Sequence, residues 1–147
     1  MNKKELLEKI NKEGHLRIFM HAGYVCVVMR PHTVAGDLGK MPWTIHLCGY
    51  VGIPKGHPLY GKDYWYIYDN TRLRPQVHGG LTYSREYLLT REKSGLWWFG
   101  FDAAHAGDTS SLDSIHEFET YKDMDYMIKE TKKLARWLKR VERRSKK

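Results

Sequence analysis

A chain of 147 residues with 41% apolar and 29% charged side chains is long enough to close one core. At this length about 70% of the unfolded surface is buried without covalent staples. The net charge of +8 is unevenly placed: Lys129 to Lys147 holds ten Lys and Arg against Glu130 and Glu142, so the remainder is neutral. No run reaches the roughly 18 apolar residues of a membrane span, and the charged start from Met1 to Glu8 lacks the apolar stretch of a secretion signal. The expectation is one cytoplasmic domain over residues 1–147 with no membrane contact.

Asn2 to Glu13 reads as a short amphipathic helix, with Leu6, Leu7 and Ile10 on one side and Gly14 as its stop. Leu16 to Met20 and Tyr24 to Met29 are dense in β-branched and aromatic residues and read as strands. Pro31 to Pro42 is a loop by its glycines and prolines, and Trp43 to Val51 returns to strand. Gly52 to Pro58 forms a Gly/Pro turn before the polar-aromatic run Gly61 to Tyr68. Val77 to Tyr83 and Leu96 to Phe101 read as further strands. Met124, Met127, Ile128, Leu134, Ala135, Leu138 and Val141 recur at helical spacing within Thr120 to Arg144. Thr120-Tyr121-Lys122-Asp123 has the form of a capping box, and the charges run acidic to basic along the helix dipole. The predicted architecture is α+β: a mostly antiparallel sheet, a long C-terminal helix, a short N-terminal one and a basic tail at about 142–147. Cys26 and Cys48, flanked by apolar residues, are expected to be small buried hydrophobes rather than nucleophiles.

Two stretches place histidine beside glycine at the end of an aromatic or β-branched run: Val77 to Tyr83, and Trp97 to Asp108. A hairpin turning near Lys93 to Gly95 would set Thr82 opposite His105 and bring His78 towards Asp108. A histidine oriented by a carboxylate, near a hydroxyl, is the minimal apparatus of general acid–base work. His78 and His105 are therefore the candidate titrating pair, with Asp102 or Asp108 orienting a ring. Thr82 and Tyr83 are candidate ligand contacts, and Gly79 and Gly80 candidate backbone donors for an anion. His57 and Lys62 form a third polar region that would line a cleft for an aromatic, anionic ligand. Scattered histidines, without paired-ligand spacing, predict no metal site and no cofactor; the alternative is an oxygen-rich Mg²⁺ or Mn²⁺ site on Asp102-x-x-His105-x-x-Asp108. The basic end of the last helix suits weak, sequence-indifferent contact with nucleic acid.

The segments Gly49 to Pro58, Gly61 to Tyr64, Val77 to Ser84, Trp97 to Asp102 and His105 to Asp108 together resemble small proteins of bacteriophages and prophages. That resemblance covers roughly residues 45–138 and implies a setting in which small pocketed proteins antagonise bacterial immunity by sequestering or cleaving nucleotide messengers. The resulting expectation is a protein that binds a phosphorylated or nucleotide-like ligand, with hydrolysis as a further step. The alternative is a non-enzymatic inhibitor that docks on a host protein.

Overall fold

A computed structural model describes residues 1–31, 45–88, 93–112 and 115–146. Apart from Pro31, the expected loop at 31–42 lies outside them. Helix α1 spans Lys3–Glu13, capped by the Asn2 side chain, which accepts the Glu5 amide, and closed at Gly14. It is followed by strands β1 (Leu16–His21), β2 (Tyr24–Met29) and β3 (Cys48–Ile53). Then come helix α2 (Tyr64–Asn70), strands β4 (Tyr83–Arg85) and β5 (Trp97–Asp102), and helix α3 (Met124–Ser145). The five strands are ordered β1-β2-β3-β5-β4, and every neighbouring pair is antiparallel. The α+β architecture with its long and short terminal helices is therefore the observed one. Among the described residues no helix is long and apolar enough to cross a membrane.

The sheet has two buried faces because β2, β3 and β5 alternate apolar residues on both sides. Cys26, Val28, Val51, Ile53, Phe99 and Phe101 face α3, whose Met127, Leu134, Ala135 and Leu138 complete the main core. Val27, Met29, Cys48, Tyr50 and Trp98 cluster on the opposite face with Tyr83 and Leu96. The two cysteines thus lie on opposite faces, free and buried, and burial pushes both thiols up to about 12. Gly49 sets how closely α3 approaches: a Cβ there would stand 2.3 Å from the Thr131 hydroxyl. No larger residue fits between β3 and the helix.

Three local expectations are corrected. Val77 to Tyr83 is not a strand; only Tyr83–Arg85 pairs with β5, because Gly79 and Gly80 both take positive φ (68° and 77°) and turn the chain away. The strand expected at Trp43 to Val51 begins only at Cys48 and runs to Ile53, residues 43–44 lying outside the described chain. The cap of α3 is Asp123, whose carboxylate accepts the Tyr126 amide, and not Thr120. Thr120 instead pairs with the segment at Asp108, exchanging backbone hydrogen bonds with Gly107 and Thr109.

One charged side chain is wholly buried where α1, β2 and α3 meet. Arg30 donates to the carbonyls of Gly14 (2.9 Å) and Ile45, to the Tyr121 hydroxyl (2.8 Å) and to His15 Nδ1 (3.0 Å). Its ion-pair partner Glu13, 3.4 Å away, also accepts the Tyr121 hydroxyl and the Met124 amide. Breaking such a pair from one side leaves an uncompensated charge. Arg30→Met should therefore cost about 3–5 kcal/mol, and adding Glu13→Gln should recover at least about 1 kcal/mol of it. Urea-unfolding midpoints of the single and double variants check this; strictly additive losses would show the two groups uncoupled.

Candidate functional site

The Gly79-Gly80 turn, the 102–108 loop after β5 and the first turns of α3 converge on one buried carboxylate. Asp108 is 3% exposed. Its Oδ2 accepts from His78 Nε2 at 2.7 Å and from the His105 amide at 3.0 Å, and its Oδ1 lies 3.1 Å from Lys122 Nζ. Burial alone would raise its pKa. The hydrogen bonds from His78, the His105 amide and Lys122 outweigh that and hold the carboxyl below its ordinary range.

An ionised Asp108 fixes the tautomer of His78. Nε2 carries the proton given to the carboxylate, so in the neutral ring Nδ1 accepts from the Tyr126 hydroxyl, 2.8 Å away. Hydroxyl, imidazole and carboxylate stand in the order of a serine-protease triad, with tyrosine in the hydroxyl's place. Burial, then the Glu130 and Asp108 carboxylates, raise the Tyr126 pKa and keep its hydroxyl protonated. Lys122 Nζ also sits 5.9 Å over the Tyr126 ring, reaching it from the residue just before the Asp123 cap of α3.

His105 stands beside this chain, its ring centroid 6.0 Å from that of His78. A Cβ on Gly79 would come within 2.2 Å of His105 Nε2 and 2.3 Å of Cδ2. The Cδ2–Nε2 edge is therefore turned onto the glycine backbone, and Nδ1 lies on the other edge of a side chain 36% exposed. Asp102 Oδ1 is 3.2 Å from Nε2, an ion-pair separation without hydrogen-bond alignment. Asp102 is itself held by the Thr82 hydroxyl (3.0 Å) and the Ala104 amide (3.1 Å).

His78, His105, Asp102, Asp108, Gly79, Gly80 and Thr82 are thus brought together, although not by the expected register. β4 and β5 pair Tyr83 with Gly100, so Thr82 meets Asp102 instead of His105. The Gly80 amide is spent on the Val77 carbonyl, and the next amide, of Leu81, on the Tyr68 hydroxyl. Tyr83 lies elsewhere: it packs against Tyr50 on the opposite face and donates its hydroxyl to the Tyr87 carbonyl. His57 is also apart. Its Nδ1 accepts the Leu59 amide and its Nε2 donates to the Leu138 carbonyl, and burial lowers its pKa and keeps the ring neutral. Leu138 is twelve residues along α3 from Tyr126, about 18 Å. Lys62 is exposed over the Tyr66 ring. Lys122 and Tyr126 were not legible as site residues, because their partners Asp108 and His78 are distant in the chain. Among the described residues no three His, Cys, Asp or Glu side chains are grouped to hold a metal ion.

A comparison with protein-family profiles, curated proteins and solved structures finds no match for this chain.

The lowered pKa of Asp108 has a consequence for stability. An unfolded aspartate takes up its proton at the ordinary value near pH 4, before the folded one does. The stabilisation is therefore complete above about pH 4 and is lost as pH falls through the lowered folded value. Asp108→Asn should flatten the melting-temperature profile below about pH 4; an acid limb as steep as that of the unmodified chain would show Asp108 uninvolved.

Proposed function

We propose that the protein binds a phosphorylated, nucleotide-like ligand over the His78–His105 pair and hydrolyses its phosphodiester bond by acid–base chemistry. The observation that carries this reading is the Tyr126–His78–Asp108 chain, with a second, more exposed histidine 6.0 Å from the first. Lys122 compensates the Asp108 charge and a protonated histidine compensates Asp102, so the cluster then presents no net negative charge to repel a phosphate.

In this scheme a water attacks phosphorus and gives its proton to His105 Nδ1. The bond from phosphorus to the leaving oxygen breaks, and that oxygen takes the Tyr126 proton. Protonated His78 restores it through Nδ1, and the buried Asp108 carboxylate stabilises the imidazolium until then. One proton is gained and one lost, so solvent exchange returns both rings to their starting state. In the bacteriophage setting implied by the sequence resemblance, the ligand would be a nucleotide messenger of host immunity and the site of action the host cytoplasm.

Mass spectrometry of a panel of mono-, di- and cyclic oligonucleotides incubated with the protein tests the proposal. Consumption of a phosphodiester, abolished by His105→Ala, is the expected result. Gly79→Ala should lower turnover at least about tenfold, since its Cβ would displace the His105 ring and its backbone has φ +68°. Nucleotide retained intact would reduce the function to sequestration. Nucleotide neither altered nor retained overturns the reading and leaves the exposed Trp65 and Phe118 (62% and 75%) as features of a protein-docking inhibitor.

A further inference from the structure

Two adjoining cavities of about 370 and 250 Å³ lie along α3. Arg72, Arg74, Arg140 and Arg144 line the first, and Arg74, Lys133, Arg136 and Arg140 the second; no carboxylate lines either. Lys133 is paired with Glu130 at 2.6 Å, and Arg74 lies over the Tyr68 ring and donates to its carbonyl. Arg72, Arg140 and Arg144 have no acidic partner among the described residues. Lys133, Arg136, Arg140 and Arg144 follow one another at three- and four-residue steps, so they form one stripe, about 16 Å long at 1.5 Å per residue.

The other wall of the groove is the segment that leads into the candidate site. Trp137 Nε1 donates to the Leu73 carbonyl at 3.0 Å, and His78 Nδ1 meets the Tyr126 hydroxyl at 2.8 Å. Eleven residues of helix separate Trp137 from Tyr126, about 16 Å. The five residue steps from Leu73 to His78 reach at most about 17 Å, enough to join the two contacts. The chain from 73 to 78 therefore runs antiparallel beside α3, and the cationic groove leads towards the His78–Tyr126 pair.

We propose that this groove binds the phosphodiester backbone of a single-stranded nucleic acid and delivers it to the His78 cluster. The inference deepens the phosphodiester reading of that cluster and rests on it. A stripe of about 16 Å is longer than the phosphate end of a mononucleotide and suits several phosphates in a row. Cavities of a few hundred cubic ångströms between a helix and an extended segment suit one strand, not a duplex.

Fluorescence anisotropy of the full chain with labelled thymidine 15-mer, a 15-base-pair duplex and polyglutamate, each over a salt series, tests the proposal. The 15-mer should bind tightest, with log K falling linearly against log salt by about 0.7 for each phosphate contact. Arg74→Glu and Arg140→Glu should each weaken it about tenfold and flatten the slope by about one. Lys4→Glu on α1 and Lys146→Glu in the tail should change affinity less than about twofold. Equal losses from all four variants, or a preference for duplex or polyglutamate, overturn the groove. Turnover of a cyclic or dinucleotide phosphodiester without tighter binding of the 15-mer sinks the groove alone. Groove-dependent binding of the 15-mer, with no nucleotide or oligomer cleaved, sinks the acid–base reading of the cluster and with it the delivery step.

Discussion

Burial of a single guanidinium, that of Arg30, fixes where the long helix begins. A charge withdrawn from water is tolerated only if every donor finds a partner. Arg30 finds its partners in three places: the end of α1, the Ile45 carbonyl and Tyr121. Glu13 closes the arrangement by accepting both the Tyr121 hydroxyl and the Met124 amide. The first turn of α3 is thereby tied to β2 and α1 through polar contacts that cannot slide. Apolar packing alone would permit small shifts of the helix along the sheet; this network does not.

The candidate site inherits that constraint. Tyr121 belongs to the Arg30 network, Lys122 to the Asp108 carboxylate and Tyr126 to His78. Thr120, just before them, is hydrogen-bonded to the segment carrying Asp108. Two buried ionic centres, one cationic and one anionic, therefore grip the same short segment from opposite sides. Asp108 stays ionised because three donors outweigh its desolvation, and an ionised Asp108 in turn dictates which nitrogen of His78 is protonated. Proton placement in the cluster is thus a consequence of packing.

Helix α3 carries three tasks on different parts of its surface. Met127, Leu134, Ala135 and Leu138 fill the main core. The first turn contributes Tyr126 to the cluster, and Lys122 joins it from just before the cap. The later turns present the arginine stripe beside residues 72–76. The charge segregation that suits the helix dipole, acidic at the start and basic at the end, also places the cationic groove away from the anionic Asp108.

Local pattern determined much of the scaffold. The apolar periodicity of α3, the Asn2 and Gly14 boundaries of α1 and the β-branched or aromatic runs of β1, β2 and β5 need only near neighbours to be read. Glycine beside histidine likewise marked His78 and His105 as residues at turns. What the tertiary structure alone decided is which groups meet. Arg30 and Tyr121 are 91 residues apart, and His78 and Tyr126 are 48 apart; no local period encodes such pairings. Tyr64 to Tyr68, rich in strand-favouring aromatics, became helix α2 because Asp63 caps it and Ile67 is buried against the core. Val77 to Tyr83 lost its strand to two positive-φ glycines whose conformation places the backbone against the His105 ring. Short-range preferences select elements, while the requirement that buried charges and polar groups be partnered selects their arrangement, and that second requirement is met only in three dimensions.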